Sequence, residues 1–453
     1  MRIDKNTTIR LGDRNIVKIK IGDSVIWQKD NIDYLYVENT YAGGNTISVK
    51  QTLTGSPDSS TYAKTLQYSK DKTNWSTITL SSTAYTITLN QGEKVYFRGN
   101  EGVFNYWYSR GAKKAITTIS ANQTHTVGGN INTLLDYQDP YGLTLPQGAF
   151  CGIFENNTKL TSASDITLPP SVDGSLSSYC YLYLFKKCTN LPTVPKSIPA
   201  KKQGQDACNG MFAYTAITTA PELPATTLAN SCYADTFHGC TSLVNPPKLP
   251  ATTLADSCYR SLFEGCDKIV NAPELPATTL ATNCYIYLFK SCTSLVNAPA
   301  LPATTLAANC YKALFARCTS LVNAPELPAT TLANNCYQDT FKECTSLVNA
   351  PELPATTLEV ECYRALFYGC TSLVNAPELP AKTLKTDCYI DLFRDCSKLN
   401  NITVYANDIS ATNCTTNWLS GVASTGTFRN LGSATYVKDS VSGIPSGWTE
   451  VKK

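Results

Sequence analysis

Cys336-Tyr-Gln-Asp-Thr-Phe341-Lys-Glu-Cys344-Thr-Ser-Leu347-Val-Asn-Ala-Pro351-Glu-Leu-Pro354-Ala-Thr-Thr-Leu358 is one unit of a repeat. The next unit starts 26 residues on, at Cys362, and the previous one at Cys310. The pattern is nearly perfect from Cys232 to Cys396. A fixed period of this length predicts stacked units, each burying its apolar side against its neighbours. Such arrays offer extended surfaces rather than closed catalytic pockets.

The first nine residues of the unit read as a helix. At about 100° per residue, Cys336, Tyr337, Thr340, Phe341 and Cys344 share one arc, and Gln338, Asp339, Lys342 and Glu343 the other. The fifth position is always Leu or Thr (Thr236, Leu262, Leu288, Leu314, Thr340, Leu366, Leu392), as suits a buried site. The tyrosine row Tyr233, Tyr259, Tyr285, Tyr311, Tyr337, Tyr363 and Tyr389 falls inside the apolar arc and reads as core. The remainder of the unit holds two prolines three residues apart, which limits it to a short strand near Leu347 and then extended or turning chain.

Fourteen of the nineteen cysteines form seven pairs eight residues apart, from Cys232/Cys240 to Cys388/Cys396. Helical residues eight apart lie about 12 Å apart along the axis, beyond the roughly 4.4–6.8 Å reach of a disulfide. The spacing is not a zinc pattern, and only His125 and His238 exist as imidazole ligands. The cysteines therefore read as reduced, small core residues.

The chain has 453 residues, a net charge of +3 and 16% charged residues. No basic stripe points to nucleic acid, and no apolar run matches a membrane span. Met1-Arg-Ile-Asp-Lys-Asn lacks the apolar run of a secretory signal. No HExxH, GxSxG, P-loop or dinucleotide motif is present, so no enzyme and no cofactor are expected. The row Glu222, Glu274, Glu326, Glu352 and Glu378 reads as a solvated edge.

Around the array the chain divides into further parts. Residues 1–29 alternate as a small β segment, with Val17, Ile19 and Ile21 on one side. Residues 30–115 carry strand-like runs between turns and read as an immunoglobulin- or fibronectin-like β-sandwich without a disulfide. Residues 116–150 form a connector and N-cap, 151–400 the array, and 401–453 a C-terminal cap. The expected class is α+β and multidomain.

The core Phe341, Cys344 and Leu347 resembles the Phe-x-x-Cys-x-x-Leu core of BspA-like bacterial leucine-rich repeats. That implies a leucine-rich-repeat solenoid. The wider chain is similar to tail or fibre proteins of gut Bacteroidales phages and prophages. The matching parts are Ile9-Arg-Leu-Gly-Asp, Ile21-Gly-Asp-Ser-Val-Ile-Trp27, Gly129-Asn130-Ile131, the Leu-Pro-Ala-Thr-Thr-Leu segments, Asn417 to Phe428, and Ile444-Pro-Ser-Gly-Trp448. The connector departs from that pattern, with Leu134-Leu-Asp-Tyr-Gln-Asp in place of Leu-Leu-Tyr-Gly-Asp.

The resemblance implies a virion tail component, assembled in the host cytoplasm and meeting the host surface. Expected partners are virion tail proteins through residues 1–29, a host surface glycan or protein, and further copies of the chain in a trimer. The alternative is a bacterial surface adhesin at the cell surface; a carbohydrate-active enzyme ranks below both. Candidate receptor-binding residues are those that vary on the exposed arc while the core stays constant. After the tyrosine these are Arg260, Lys312, Gln338 and Arg364; after the phenylalanine they are Glu264, Lys290, Lys342, Tyr368 and Arg394.

Overall fold

A computed structural model describes residues 32–57, 62–102, 104–108, 113–439 and 441–452, together with four short strands near the N-terminus. Those four form two antiparallel pairs: β1 (Ile9–Leu11) with β2 (Arg14–Ile16), and β3 (Lys18–Ile21) with β4 (Ser24–Gln28).

Ten strands follow: β5 (Leu35–Asn39), β6 (Asn45–Thr54), β7 (Thr65–Ser69), β8 (Ser76–Thr79), β9 (Tyr85–Leu89), β10 (Lys94–Arg98), β11 (Tyr106–Tyr108), β12 (Lys113–Ala121), β13 (His125–Asn130) and β14 (Leu160–Thr167). One sheet runs β14-β13-β5-β10-β7-β8 and the other β11-β12-β6-β9. Burial alternates along β5, β6 and β10, as a pleated strand with one buried face requires. Leu35, Val37, Val95 and Phe97 of one sheet share a core with Ile47, Val49, Ile87 and Ile119 of the other.

The expected connector is part of these sheets. Strand β12 runs through the boundary drawn at 115/116, and β13 pairs antiparallel with β5 and parallel with β14. The Gly129-Asn130-Ile131 motif has a physical reason. A Cβ on Gly129, whose φ is +84°, would fall 2.0 Å from the Tyr34 carbonyl oxygen. Asn130 accepts from Asn132 N at 3.0 Å, and Ile131 is fully buried. Nearby, burial lowers the His125 imidazolium to about 4, so the ring is neutral at neutral pH. Its Nδ1 donates to Gln123 O and its Nε2 accepts from Asn157 Nδ2, both at 3.0 Å. Asn157 thus ties β13 to the first turn of the array.

The array itself overturns the α+β class and the helix-bearing leucine-rich-repeat solenoid. Among the described residues there is no α-helix. In place of each expected helix lies an arc of successive tight turns. Cys232, Ala234, Thr236, His238 and Cys240 each donate their N–H to a carbonyl three residues back, at 3.1–3.3 Å. Tyr233, Asp235, Phe237 and Gly239 donate instead to Cys258, Arg260, Leu262 and Glu264 of the following unit, at 2.8–3.0 Å. Ser231, Asp235 and Gly239 have φ of +55°, +54° and +69°, a left-handed conformation that an α-helix cannot contain. The apolar residues recur every four positions, a spacing that a helix wheel also places on one face; this is why the sequence pattern reads as helical. The left-handed positions 231, 235 and 239 are filled in other units mainly by Ser, Asn, Asp, Ala or Gly, which is the turn signal.

The extended side of each unit meets the next through single parallel bridges, such as Asn271↔Asn297, Asn323↔Asn349 and Thr253↔Thr279. Inside, like residues stack on like. Phenylalanine rings follow one another from Phe154 to Phe393, with centroids 5.4–5.8 Å apart. Tyrosines stack from Tyr233 to Tyr389 at 5.7–6.3 Å and end on Trp418 and Tyr436. These separations suit offset stacking. All nineteen cysteines are free and buried. The second thiol of each unit donates to the phenylalanine carbonyl of the unit before, as Cys318 Sγ does to Phe289 O at 3.1 Å. At the C-terminal end β17 (Asn401–Val404), β18 (Gly426–Asn430) and β19 (Trp448–Lys452) form a parallel sheet; two minor strands, β15 (Ser175–Leu176) and β16 (Lys202–Gln203), pair earlier in the array. One core cluster runs from Leu35 to Trp448.

Replacing Gly265 by Ala tests the arc directly. Its φ is +72° and an added Cβ would meet nothing closer than 3.7 Å, so only backbone strain is at stake. The substitution should lower stability by about 1 kcal/mol, whereas in an α-helix it would raise it by about the same amount. Urea denaturation reads the sign.

The thiols set an alkaline limit. Burial pushes Cys240 up to about 11 and Cys284, Cys336, Cys344 and Cys396 to about 12. Below the ordinary thiol value of about 8.5 both states are protonated and nothing changes with pH. Above it the unfolded chain binds fewer protons than the folded one, so stability falls as pH rises towards the folded values. The loss is about 2 kcal/mol per thiol at pH 10. The array should be intact at pH 8 and lose its structure between about pH 9 and 11, as followed by circular dichroism.

Candidate functional site

The turn arcs stack into one face, and the backbone pattern decides which side chains reach it. Positions with negative φ between the buried ones point outward: the residue after each tyrosine and the residue after each phenylalanine. All nine sequence-derived candidates lie on this face. Most are engaged with neighbours in the stack. Arg260 Nη2 meets Asp235 Oδ2 at 2.6 Å, and Lys290 Nζ meets Glu264 Oε1 at 2.9 Å. Lys342 lies 3.6 Å from Asp339, Arg364 2.9 Å from Glu361 and Arg394 3.3 Å from Asp391. The Tyr368 ring has Lys342 Nζ at 5.0 Å and Arg394 Cζ at 5.5 Å from its centroid. Gln338 is only 8% exposed, and its Oε1 accepts from Asn335 Nδ2 at 2.8 Å. Lys312 is half-buried in the register of Arg260 and Arg364.

The face is hollowed at its N-terminal end. A groove of about 570 Å³ crosses five successive arcs there, with Tyr179, Tyr183, Asp206, Asn209, Arg260 and Tyr287 among its walls. A smaller cavity of about 120 Å³ adjoins it, sharing Tyr183 and Asn209 and adding Lys186, Tyr214, Asp235 and His238. Asp206 is almost fully buried and accepts from Asn209 Nδ2 at 2.7 Å and Gln205 Nε2 at 3.3 Å. Burial pushes the Asp235 carboxyl up from its ordinary value, against the opposing pull of Arg260 and His238. His238 Nδ1 lies 3.9 Å from Asp235 and 3.7 Å from Glu264. Of the nine candidates only Arg260 lines this groove.

Sequence reasoning missed the tyrosines of the groove. The signal available was their register. Tyr179, Tyr183, Tyr214 and Tyr287 occupy left-handed positions, with φ of +57° to +61°, where most other units place small or turn-forming residues. Glycines of the following arc make room for two of the rings. A Cβ on Gly210 would come within 2.7 Å of Tyr183, and one on Gly239 within 2.6 Å of Tyr214.

A second groove of about 580 Å³ lies on the proline-rich side, between Val244, Pro246, Leu249 and Pro273. It belongs to a row of exposed valines, Val244, Val270, Val296, Val322 and Val348, each 37–49% exposed. Among the described residues no group of three or more His, Cys, Asp or Glu side chains is placed to hold a metal ion, and no helix is long and apolar enough to cross a membrane. Comparison with known proteins finds no relative: no family model, curated protein or solved structure matches the chain.

The Asp235–Arg260 pair should behave as a bond between units. Its side chains are 29% and 42% exposed, so a double-mutant cycle with Asp235→Ala and Arg260→Ala should give a coupling of about 0.5–1 kcal/mol that shrinks with added salt. A coupling of zero at low salt would place the pair outside the forces holding neighbouring arcs together.

Proposed function

We propose that this chain is a structural and recognition subunit of a phage tail or tail fibre that binds the host cell surface with the outer face of its coil stack. The observation that carries the reading is the contrast between interior and exterior. Phenylalanine, tyrosine and cysteine repeat without change inside, from Cys232 to Cys396. On the face, the same register runs Arg260, Ile286, Lys312, Gln338, Arg364 and Ile390. A constant scaffold with a changing surface is what recognition of a varied partner needs. The similarity of the N-terminal segment, the connector and the C-terminal end to Bacteroidales phage proteins supplies the setting.

In this reading residues 1–29 join the chain to tail proteins. The two strand pairs β1–β2 and β3–β4 are each below the size at which a sheet is stable alone, so a partner surface or further copies of the chain would complete them. The host-side ligand is a surface glycan or protein. No cofactor enters the activity.

Two measurements check this reading. The full chain, displayed as a clustered array so that weak single contacts add, should bind host cells and compete with phage adsorption. A chain lacking residues 1–29 should keep cell binding and be absent from assembled virions by mass spectrometry. Normal incorporation of the shortened chain, or no binding by the clustered full chain, would overturn the assignment.

A further inference from the structure

Four tyrosines among the described residues have positive φ, and all four line the groove at the N-terminal end of the stack or the cavity adjoining it. A left-handed conformation is costly for a bulky side chain, and such outliers gather where a site demands them. Elsewhere on this face the register of Tyr183 and Tyr287 holds cheaper residues, such as Ser261, Ala313 and Asp339, while the other two registers also take Glu361, Arg317 and Glu343. The strained tyrosines therefore concentrate where the face is hollow.

The lining has a particular chemistry. Aromatic rings stand beside planar hydrogen-bonding groups: the Asp206 carboxylate held by Asn209 and Gln205, and the Arg260 guanidinium held by Asp235. The charges balance, with Asp206 and Asp235 against Lys186 and Arg260. Lys186 Nζ lies 3.8 Å over the Tyr183 ring and Lys290 Nζ 4.9 Å over the Tyr287 ring. Lys186 is a long, flexible amine that a ligand can displace, and Lys290 is held to one side by Glu264 at 2.9 Å. Tyr214 is 43% exposed and meets His238 in a T-shaped contact with ring centroids 5.1 Å apart. The groove crosses five arcs, and four steps at the spacing of hydrogen-bonded strands give a length of roughly 19 Å. Its volume of about 570 Å³ is that of a ligand site.

We infer that this groove binds a short neutral oligosaccharide lying along the stack. The rings of Tyr183, Tyr214 and Tyr287 take the apolar C–H faces of the sugars, over the buried Tyr179, and Asp206, Asn209 and Arg260 take adjacent hydroxyls. A charge-balanced lining suits an uncharged chain better than an acidic one. The inference deepens the host-attachment reading and rests on it only for the source of the sugar.

The test uses the purified full chain and short glucan, mannan and galactan oligomers, with the neutral polysaccharide of host cells as a further probe and uronic-acid oligomers as the charged comparison. Calorimetry should show binding to a neutral probe. Tyr287→Asn and Tyr214→Asn should each weaken it by about tenfold, equal to about 1.4 kcal/mol. Because Asn tolerates left-handed backbone, both variants should melt at the wild-type temperature or above it. Lower melting with unchanged sugar affinity would make the tyrosines structural and overturn the assignment. So would binding confined to the uronic-acid oligomers, or no binding to any neutral probe. Cell binding reads the two proposals apart. Host cells bound by a chain that binds no sugar would remove the groove and leave attachment standing; sugar binding without cell binding would do the reverse.

Discussion

Everything in the array depends on how the backbone N–H groups of the arcs are shared. One residue donates within its own arc, the next donates to the following arc, and the alternation repeats. No N–H from Cys232 to Cys240 is left without a carbonyl, which a buried backbone requires. The alternation fixes the geometry. A chain that turns this tightly must enter the left-handed region at every fourth residue, so Ser231 and Asp235 carry backbone strain that Gly239 avoids. The strain is tolerable because each arc is bonded to its neighbour and its inner side chains are fully buried. Removed from the stack, the same segment would lose half its hydrogen bonds.

That dependence explains what the sequence showed and what it hid. The repeat length and the buried identity of Cys, Tyr and Phe follow from pattern and hold in the structure; the thiols are free, but the helix whose spacing predicts this is absent among the described residues. The secondary structure does not. A spacing of four satisfies a helix and a train of four-residue turns almost equally, and propensity could not separate them because the hydrogen bonds that decide lie 25 residues away. The informative residues were those just before each cysteine. Asn309, Asn335 and Asp387 in one register and Gly239, Gly265 and Gly369 in another are turn formers, not helix surface. The region 116–150 was hidden for a similar reason. Its strand β13 pairs with β5, some ninety residues earlier, and with β14, while β12 pairs with β6, so it looks like a linker only when read locally.

The site was partly legible. Variation at Arg260, Lys312 and Arg364 picks out one register of the arcs, half-buried in the stack. Which part of the arc face is hollow was not readable, because depth comes from the stacking of arcs with different side chains. The two glycines that admit Tyr183 and Tyr214 belong to the following arcs, 27 and 25 residues further on. Charge also misled the eye. Arginine and lysine on a varied surface suggest free recognition groups, whereas most of those on this face are held by carboxylates of the same or an adjacent arc.

The near-identity of the central units carries an evolutionary consequence. Each unit presents to its successor a parallel bridge at an Asn or Thr position, and the same ring stack and thiol bond that it shares with its predecessor. A unit deleted or duplicated by unequal recombination therefore leaves both joints intact, and the β-sheets at one end and the aromatic cover of Trp418, Phe428 and Tyr436 at the other need not change. Length becomes a trait adjustable in steps of roughly 5 Å per unit. A lineage can lengthen or shorten this molecule, and bring new side chains into the row, without refolding any of it.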